Sequence, residues 1–320
     1  MRAGRTGAGL AAALIATAVT LAGCTSAPAP DRDTQVQVVA TFSVLADIAT
    51  EIGGDRARVH SMVPRTADPH EYTPRPTDMS RAADADVLVW NGLNMETGND
   101  WFADLAAASG HDLDDPTVVE AAAGITPMYL DLAEAPAPGD PVPDADRLNP
   151  HAFLDPVVGM AYARNICDGL IAADPAGADY YRARTADYLD RLTVIDAQYQ
   201  AVIGALPPDR RLLVTSENAF QYPAARYGLE TGYLWAIDTE GQGSPSQVMA
   251  LIDLVRTSGV PALFIESNVA PRPLRTVSDD TGVPIAGTVY SDALGDDDSP
   301  AATYLDLLEH NIVTIGDGLG

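Results

Sequence analysis

A chain of 320 residues, 47% hydrophobic and 20% charged, has apolar material for one large core or two modest ones and is neither disordered nor coiled-coil in composition. Its 45 acidic residues outnumber 19 basic ones, and the resulting net charge of −26 disfavours nucleic acid and anionic lipid surfaces as partners. Every basic residue is Arg, so the chain has no P-loop Lys to reach a nucleotide phosphate and no amine for a Schiff base, which excludes an ATPase motor and a pyridoxal-phosphate enzyme.

Arg2 and Arg5 precede an apolar run from Ala8 to Leu21, too short for a spanning helix and shaped like a secretory signal over residues 1–23. The run ends in Leu21-Ala22-Gly23-Cys24, which resembles the lipobox of bacterial lipoproteins; the resemblance implies cleavage before Cys24 and lipid modification of that residue. A Pro-, Ala- and Ser-containing stretch then reads as a tether over residues 24–34, so the mature protein is expected on the extracytoplasmic face of the cell membrane, held by its lipid. The second cysteine, Cys167, falls at helical spacing with Met160, Ala163 and Leu170 and is expected to be a buried apolar thiol, which leaves no intrachain disulfide.

From Gln35 short β-rich runs alternate with helical patterns. The predicted strands are Val36 to Ala40, Val59 to Val63 and Val87 to Trp90, and the predicted helices are Val44 to Ile52, Met79 to Ala85 and Trp101 to Ala108. Such alternation predicts βα units on a mostly parallel sheet, an N-terminal α/β lobe over residues 35–173. Pro127 to Asn149, rich in Pro, Ala and Asp, reads as a surface loop. Asp155-Pro156 and Asp174-Pro175 each pair an N-cap acid with a Pro at the first helical position. The second opens a helix whose apolar stripe runs through Tyr181, Tyr188, Leu192, Ile195, Tyr199 and Val202, uninterrupted until Pro207-Pro208. Running from Pro175 to Gly204 at about 1.5 Å per residue it spans roughly 45 Å, long enough to run along two lobes, and it is taken as a linker over residues 174–206. A C-terminal lobe over residues 207–320 then offers strands at Leu212 to Thr215, Tyr233 to Ile237, Ala262 to Ile265 and Ile285 to Tyr290, with helices at Ala219 to Tyr227, Ser246 to Thr257 and Pro271 to Asp280.

His60, His111 and His310 sit in a strand, a loop and a late helix and are expected to be structural or solvated. His70, in Asp68-Pro69-His70-Glu71-Tyr72, and His151, in Asn149-Pro150-His151-Ala152-Phe153-Leu154-Asp155-Pro156, lie instead on Pro-stiffened connections, where a side chain is held at lower entropic cost. With no Gly-x-Ser-x-Gly elbow for them to serve, two such His suggest a metal more than a nucleophile's base. Glu217 and Asp292 stand just past predicted strands of the second lobe, where ligands gather in open α/β sheets, although either could equally be a solvated acid.

These segments occur in order with Ala40-Thr41-Phe42-Ser43-Val44-Leu45-Ala46-Asp47, Asn91-Gly92-Leu93, Ser216-Glu217-Asn218-Ala219-Phe220, Phe264-Ile265-Glu266-Ser267 and Tyr290-Ser291-Asp292. From about Val38 to the C-terminus the chain resembles the metal-binding lipoproteins of bacterial ABC importers for manganese, zinc and iron. The resemblance implies two α/β lobes with mostly parallel sheets joined by one rigid helix, and a metal between the lobes held by His70, His151, Glu217 and Asp292. It also implies permease and ATPase subunits on other chains, a monomer in solution and no enzymatic activity; Asn91, Glu266 and Ser267 are placed by position alone to support the ligands. Relatives that specialise in zinc commonly carry a third His where this chain has Glu217, together with a His-rich loop that is missing here.

Two imidazoles with two carboxylates balance a divalent cation and favour manganese or ferrous iron over calcium or magnesium, so Mn2+ is the expected cargo, with Zn2+ or Fe2+ as alternatives. A stiff connecting helix predicts only modest lobe closure, and competing protonation of the two His predicts weaker binding below about pH 6. The competing readings are a metalloenzyme and a surface adhesin with incidental metal.

Overall fold

The computed structural model describes residue 1 and residues 35–320 apart from 66, 97–100, 131–146 and 238–243; most of the predicted signal peptide, Cys24, the predicted tether and most of the predicted Pro-rich loop fall outside these. Four parallel strands form the first sheet: β1 (Val36–Ala40), β2 (Ala57–Ser61), β3 (Val87–Trp90) and β4 (Val118–Glu120), in the order β2-β1-β3-β4. The runs Val-Gln-Val-Val-Ala and Val-Leu-Val-Trp are apolar almost throughout because both faces of the sheet are covered. Val36, Val38, Val87 and Val89 face one core together with α1 (Ser43–Gly53) and α4 (Pro156–Ala173). Val39 and Leu88 face a second core with α3 (Trp101–Ser109), beside α2 (Pro76–Ala83). Because β2 and β3 flank β1 on opposite sides, the chain reverses its winding beyond the carboxyl ends of β1 and β3, where a crevice must open.

Helix α4 begins as its sequence predicts: Asp155 accepts the N–H of Val157 at 2.9 Å and Pro156 occupies the first turn. Asp174 caps a short 3-10 turn that feeds α5 (Ala178–Ala205), 28 residues long. One half of α5 is tied to the first lobe, where Arg184 Nε donates to the Glu51 carbonyl at 2.6 Å and Tyr180 Oη accepts from Asp55 N at 3.1 Å. The other half is tied to the second lobe, where Tyr199 Oη donates to the Leu308 carbonyl at 3.1 Å and Tyr227 Oη donates to Asp196 at 2.8 Å. The stripe predicted along it is buried at Tyr181, Tyr188, Leu192, Ile195 and Tyr199, and Ile203 continues it. Each such side chain contributes about 1.5–3 kcal/mol on burial, so the helix is held against both lobes along its length.

In the second lobe β5 (Leu212–Val214) pairs in parallel with β6 (Glu230–Gly232), and β7 (Leu263–Glu266) with β8 (Ile285–Val289). Helices α6 (Gln221–Tyr227), α7 (Pro245–Ser258), α8 (Arg272–Thr281) and α9 (Tyr304–Leu319) complete it. The strand predicted at Tyr233 to Ile237 is displaced: the continuous ladder ends at Gly232, and beyond it Leu234 and Trp235 donate their N–H groups to the Ser216 carbonyl, leaving a single parallel bridge between Trp235 and Glu217. That aromatic-rich run covers the loop after β5, so its apolar character reflects burial and not a strand. Strand β4, absent from the predicted elements, has only three residues and is too short for periodicity to reveal.

Candidate metal centre

His70 is set by the turn that follows β2, in which Asp68 Oδ1 accepts the His70 N–H at 2.8 Å and Pro69 restricts the backbone. His151 opens a 3-10 turn, His151–Leu154, immediately before α4, and is fully buried. Asn149 Oδ1 accepts both the His151 backbone N–H at 3.0 Å and its ring Nδ1 at 2.9 Å. A backbone N–H can only donate, so the Asn149 atom facing it is oxygen; Nδ1 of the neutral ring then carries the proton and Nε2 presents a lone pair. Asn91 supports the same connection by donating to the Pro150 carbonyl at 3.0 Å. The loop that carries Asn91 requires Gly92, whose φ is +78° and where a Cβ would stand 2.4 Å from Glu120 Oε1.

The carboxylates arrive from the second lobe. Glu217 follows β5, and its N–H, with that of Ser216, is accepted by the buried Glu266 carboxylate at 2.8 Å and 3.0 Å. Asp292 lies just past β8. Its Oδ2 accepts from Asn268 Nδ2 at 2.5 Å and from Ser291 Oγ at 2.8 Å, while its buried Oδ1 accepts no hydrogen bond.

The four side chains converge, with one donor atom from each lying within 4.8 Å of all the others. His151 Nε2 is 2.7 Å from Asp292 Oδ1, 3.2 Å from His70 Nε2 and 3.7 Å from Glu217 Oε1, and His70 Nε2 is 3.5 Å from Asp292 Oδ1. A transition ion about 2.0–2.2 Å from each donor needs ligand atoms roughly 3–3.5 Å apart; two of these separations, 3.2 Å and 3.5 Å, fall in that range, while 2.7 Å and 3.7 Å lie just to either side of it. His151, Glu217 and Asp292 are 0% exposed, and the His70 side chain is 4% exposed. Burial pushes the His151 imidazole below its ordinary value against the opposing pull of Asp292, favouring the neutral, ligating form. A separate cavity of about 500 Å³, lined among others by Met128, Val157, Tyr222 and Arg226, contains none of the four.

All four residues singled out in the sequence are thus in one place, and the other three His are elsewhere. Arg81 donates to His60, His111 donates to the Ala82 carbonyl and His310 to the Thr288 carbonyl. Cys167 is buried among apolar side chains, as its spacing predicts. Of the three residues expected to support the ligands, Asn91 and Glu266 do so, but Ser267 is exposed and its neighbour Asn268 holds Asp292 instead. Asn149 and Asn268 carried no signal as supporting residues, since an Asn beside a Pro or after a strand reads first as a turn former.

The family model ZnuA, zinc-uptake complex component A, periplasmic, matches residues 38–318. The chain is 35% identical over 286 residues to the manganese ABC transporter substrate-binding lipoprotein PsaA of Streptococcus pneumoniae, covering 89% of each chain. Among solved structures it is similar to a Mn-bound periplasmic metal binding protein of Candidatus Liberibacter asiaticus, with TM-score 0.76, 28% identity and coverage of 89% of this chain and 100% of the other. It is also similar to the periplasmic zinc binding protein TroA of Treponema pallidum, with TM-score 0.78, 26% identity and coverage of 89% and 99%.

Proposed function

The chain belongs to the family of periplasmic zinc-uptake components, and from that membership and the four converging donors we propose that it captures a divalent transition metal and delivers it to an ABC permease. His70, His151, Glu217 and Asp292 are the ligands. The observation that carries this reading is the buried Asp292 Oδ1, which accepts no hydrogen bond and points with His151 Nε2 into the centre of the group. A buried carboxylate oxygen left without a donor is costly unless a cation takes the place of the donor.

Manganese is the favoured cargo. Two imidazoles and two carboxylates carry a charge of about −2, which balances a divalent ion, and their oxygens move the site away from the nitrogen and sulfur surroundings that zinc prefers. The relative from Streptococcus pneumoniae is named for manganese, which supports the same choice, while the Irving–Williams order means zinc will still bind tightly in vitro. The work is capture and release and not catalysis: His70 and His151 come from one lobe, Glu217 and Asp292 from the other, so closing the lobes completes the donor set and separating them dismantles it. The permease and its ATPase are separate chains, and this chain acts as a monomer held on the extracytoplasmic face of the membrane through lipid on Cys24.

Native mass spectrometry with elemental analysis on the chain from Thr25, purified without chelator, tests the reading beside Glu217→His. One manganese or iron per chain, shifting toward zinc in the variant, is the expected result. An absence of metal in both after equimolar loading would remove the site.

A further inference from the structure

The His151 ring is not held by its own lobe alone. Asn149 is 0% exposed, and its amide is used at both ends. The oxygen accepts from the backbone N–H and the ring Nδ1 of His151, at 3.0 Å and 2.9 Å. The nitrogen donates across the cleft to the Asn218 carbonyl at 2.8 Å and to Gln221 Oε1 at 2.9 Å. Asn218 is the residue next to Glu217, and Gln221 opens α6. Tyr222, on the same helix, donates its hydroxyl to the Asn149 carbonyl at 2.9 Å. The Asn218 carbonyl can only accept and the His151 N–H can only donate, so the amide has one orientation that satisfies both, and the second lobe anchors its nitrogen end only while the lobes are together.

We propose that Asn149 is a positioning residue that transmits lobe closure to His151, presenting the bare Nε2 to the metal only when α6 and the loop after β5 are in place. With the lobes closed, the amide nitrogen is anchored by the second lobe, its oxygen faces His151, and the proton is kept on Nδ1. When the lobes part, the amide nitrogen loses both acceptors and only the His151 N–H still holds the oxygen, so the amide is less firmly aimed at the ring Nδ1. A permease that pulls the lobes apart therefore weakens the first lobe's own ligand as well as withdrawing Glu217 and Asp292. By reciprocity, metal on Nε2 favours the tautomer that Asn149 can accept from, and so favours the closed state. This device rests on the metal-capture reading above and deepens it.

The test is a double-variant cycle on Mn2+ dissociation, followed by chelator quench, with Asn149→Ala, Gln221→Met and the pair together. Gln221 accepts from Asn149, and Gln221→Met is expected to speed release about five- to tenfold, and Asn149→Ala on the order of a hundredfold, the upper range for losing a residue that orients a ligand. Added to Asn149→Ala, Gln221→Met should then change the rate by less than about twofold, because the same chain of bonds is already cut. If the two effects multiply, Gln221 acts by packing or through its separate bond to the Tyr129 carbonyl, and the relay is wrong. A parental release rate in Gln221→Met also overturns it.

The ring nitrogens of 15N-labelled histidine in the metal-free chain supply a readout independent of metal. The parent is expected to show an Nδ1–H hydrogen-bonded to Asn149, and Gln221→Met a shifted or broadened Nδ1 signal; identical signals in the two overturn the relay. A parent that binds no Mn2+ would defeat the metal reading while leaving this ring measurement to decide the role of Asn149.

Discussion

The two halves of the metal centre are built by opposite means. The histidine half depends on rigid backbone: Pro69 and Pro150 brace the two connections, Asp68 and Asn149 tie down the backbone beside each ring, and Asn149 also sets the His151 proton. The carboxylate half depends on selective hydrogen bonding. Asn268 and Ser291 occupy one oxygen of Asp292 and leave the other for the centre, and Glu266 gathers the N–H groups that lead into Glu217. A neutral ring needs only its orientation and tautomer fixed, whereas a buried anion needs part of its charge satisfied by the protein and part reserved for the cargo.

The comparison breaks most sharply at Asp292. Removing one partner from a buried charged cluster costs on the order of 3–5 kcal/mol, so Asp292→Asn should weaken Mn2+ binding by roughly a thousandfold in competition titrations. Parental affinity in that variant would remove the carboxylate half from the site. Metal removal comes next: with free ion at about a thousand times its dissociation constant, loading adds about 4 kcal/mol of stability. Chelator should therefore lower the melting temperature by several degrees or more, and should leave the melting point of Asp292→Asn almost unchanged.

Loss of an orienting partner is a smaller effect. Asn268→Ala leaves Asp292 with the Ser291 hydroxyl and should cost about 10–100-fold in affinity, the same scale as disturbing Asn149. An effect confined to Asn149, with none at Asn268, would show that the carboxylate half needs no such support.

Protons separate the halves more gently. Burial lowers the His151 pKa, so the neutral ring persists as pH falls and is lost only below the ordinary His value of about 6.5. Affinity measured by calorimetry should be level from pH 7.5 to about 6.5 and decline below it; a decline already complete at pH 7 would contradict that sign.

The smallest expected effect lies outside the donors, at Glu96. Thr41 Oγ1 and the Asn91 N–H donate to its Oε1, its Oε2 has no partner, and burial pushes the carboxyl from 4.5 up to about 7. The folded protein therefore binds a proton that the unfolded chain releases, so this contribution is full below about pH 4.5 and is lost as pH rises through about 7. Thermal stability should fall between about pH 4.5 and 7, and Glu96→Gln should flatten that fall; an equal slope in both would locate the dependence elsewhere.

The elements were readable because their signals are local. Val-Leu-Val-Trp at β3, the Asp-Pro caps and the stripe from Tyr181 to Tyr199 each announce themselves within a few residues, and the structure bears them out. Where the local pattern had a second use, it misled. Tyr233 to Ile237 is apolar because it covers the loop after β5, and β4 is too short to show a period. The four donors could be named from their positions on stiff turns and strand ends, but their convergence rested on family resemblance until the geometry was available.

Local pattern supplies the parts: a Lys-free acidic chain with apolar strands for parallel sheets, one helix long enough to join two lobes, and two His and two acids at the ends of elements. Packing of the lobes brings His70, His151, Glu217 and Asp292 within 4.8 Å, leaves one Asp292 oxygen free of donors, and connects the His151 ring through Asn149 to Asn218 and Gln221. The physical reason is separation along the chain. Hydrophobic period, capping and turn chemistry act over a few residues, whereas a ligand's orientation and a ring's tautomer are set by partners that only packing of the two lobes brings together.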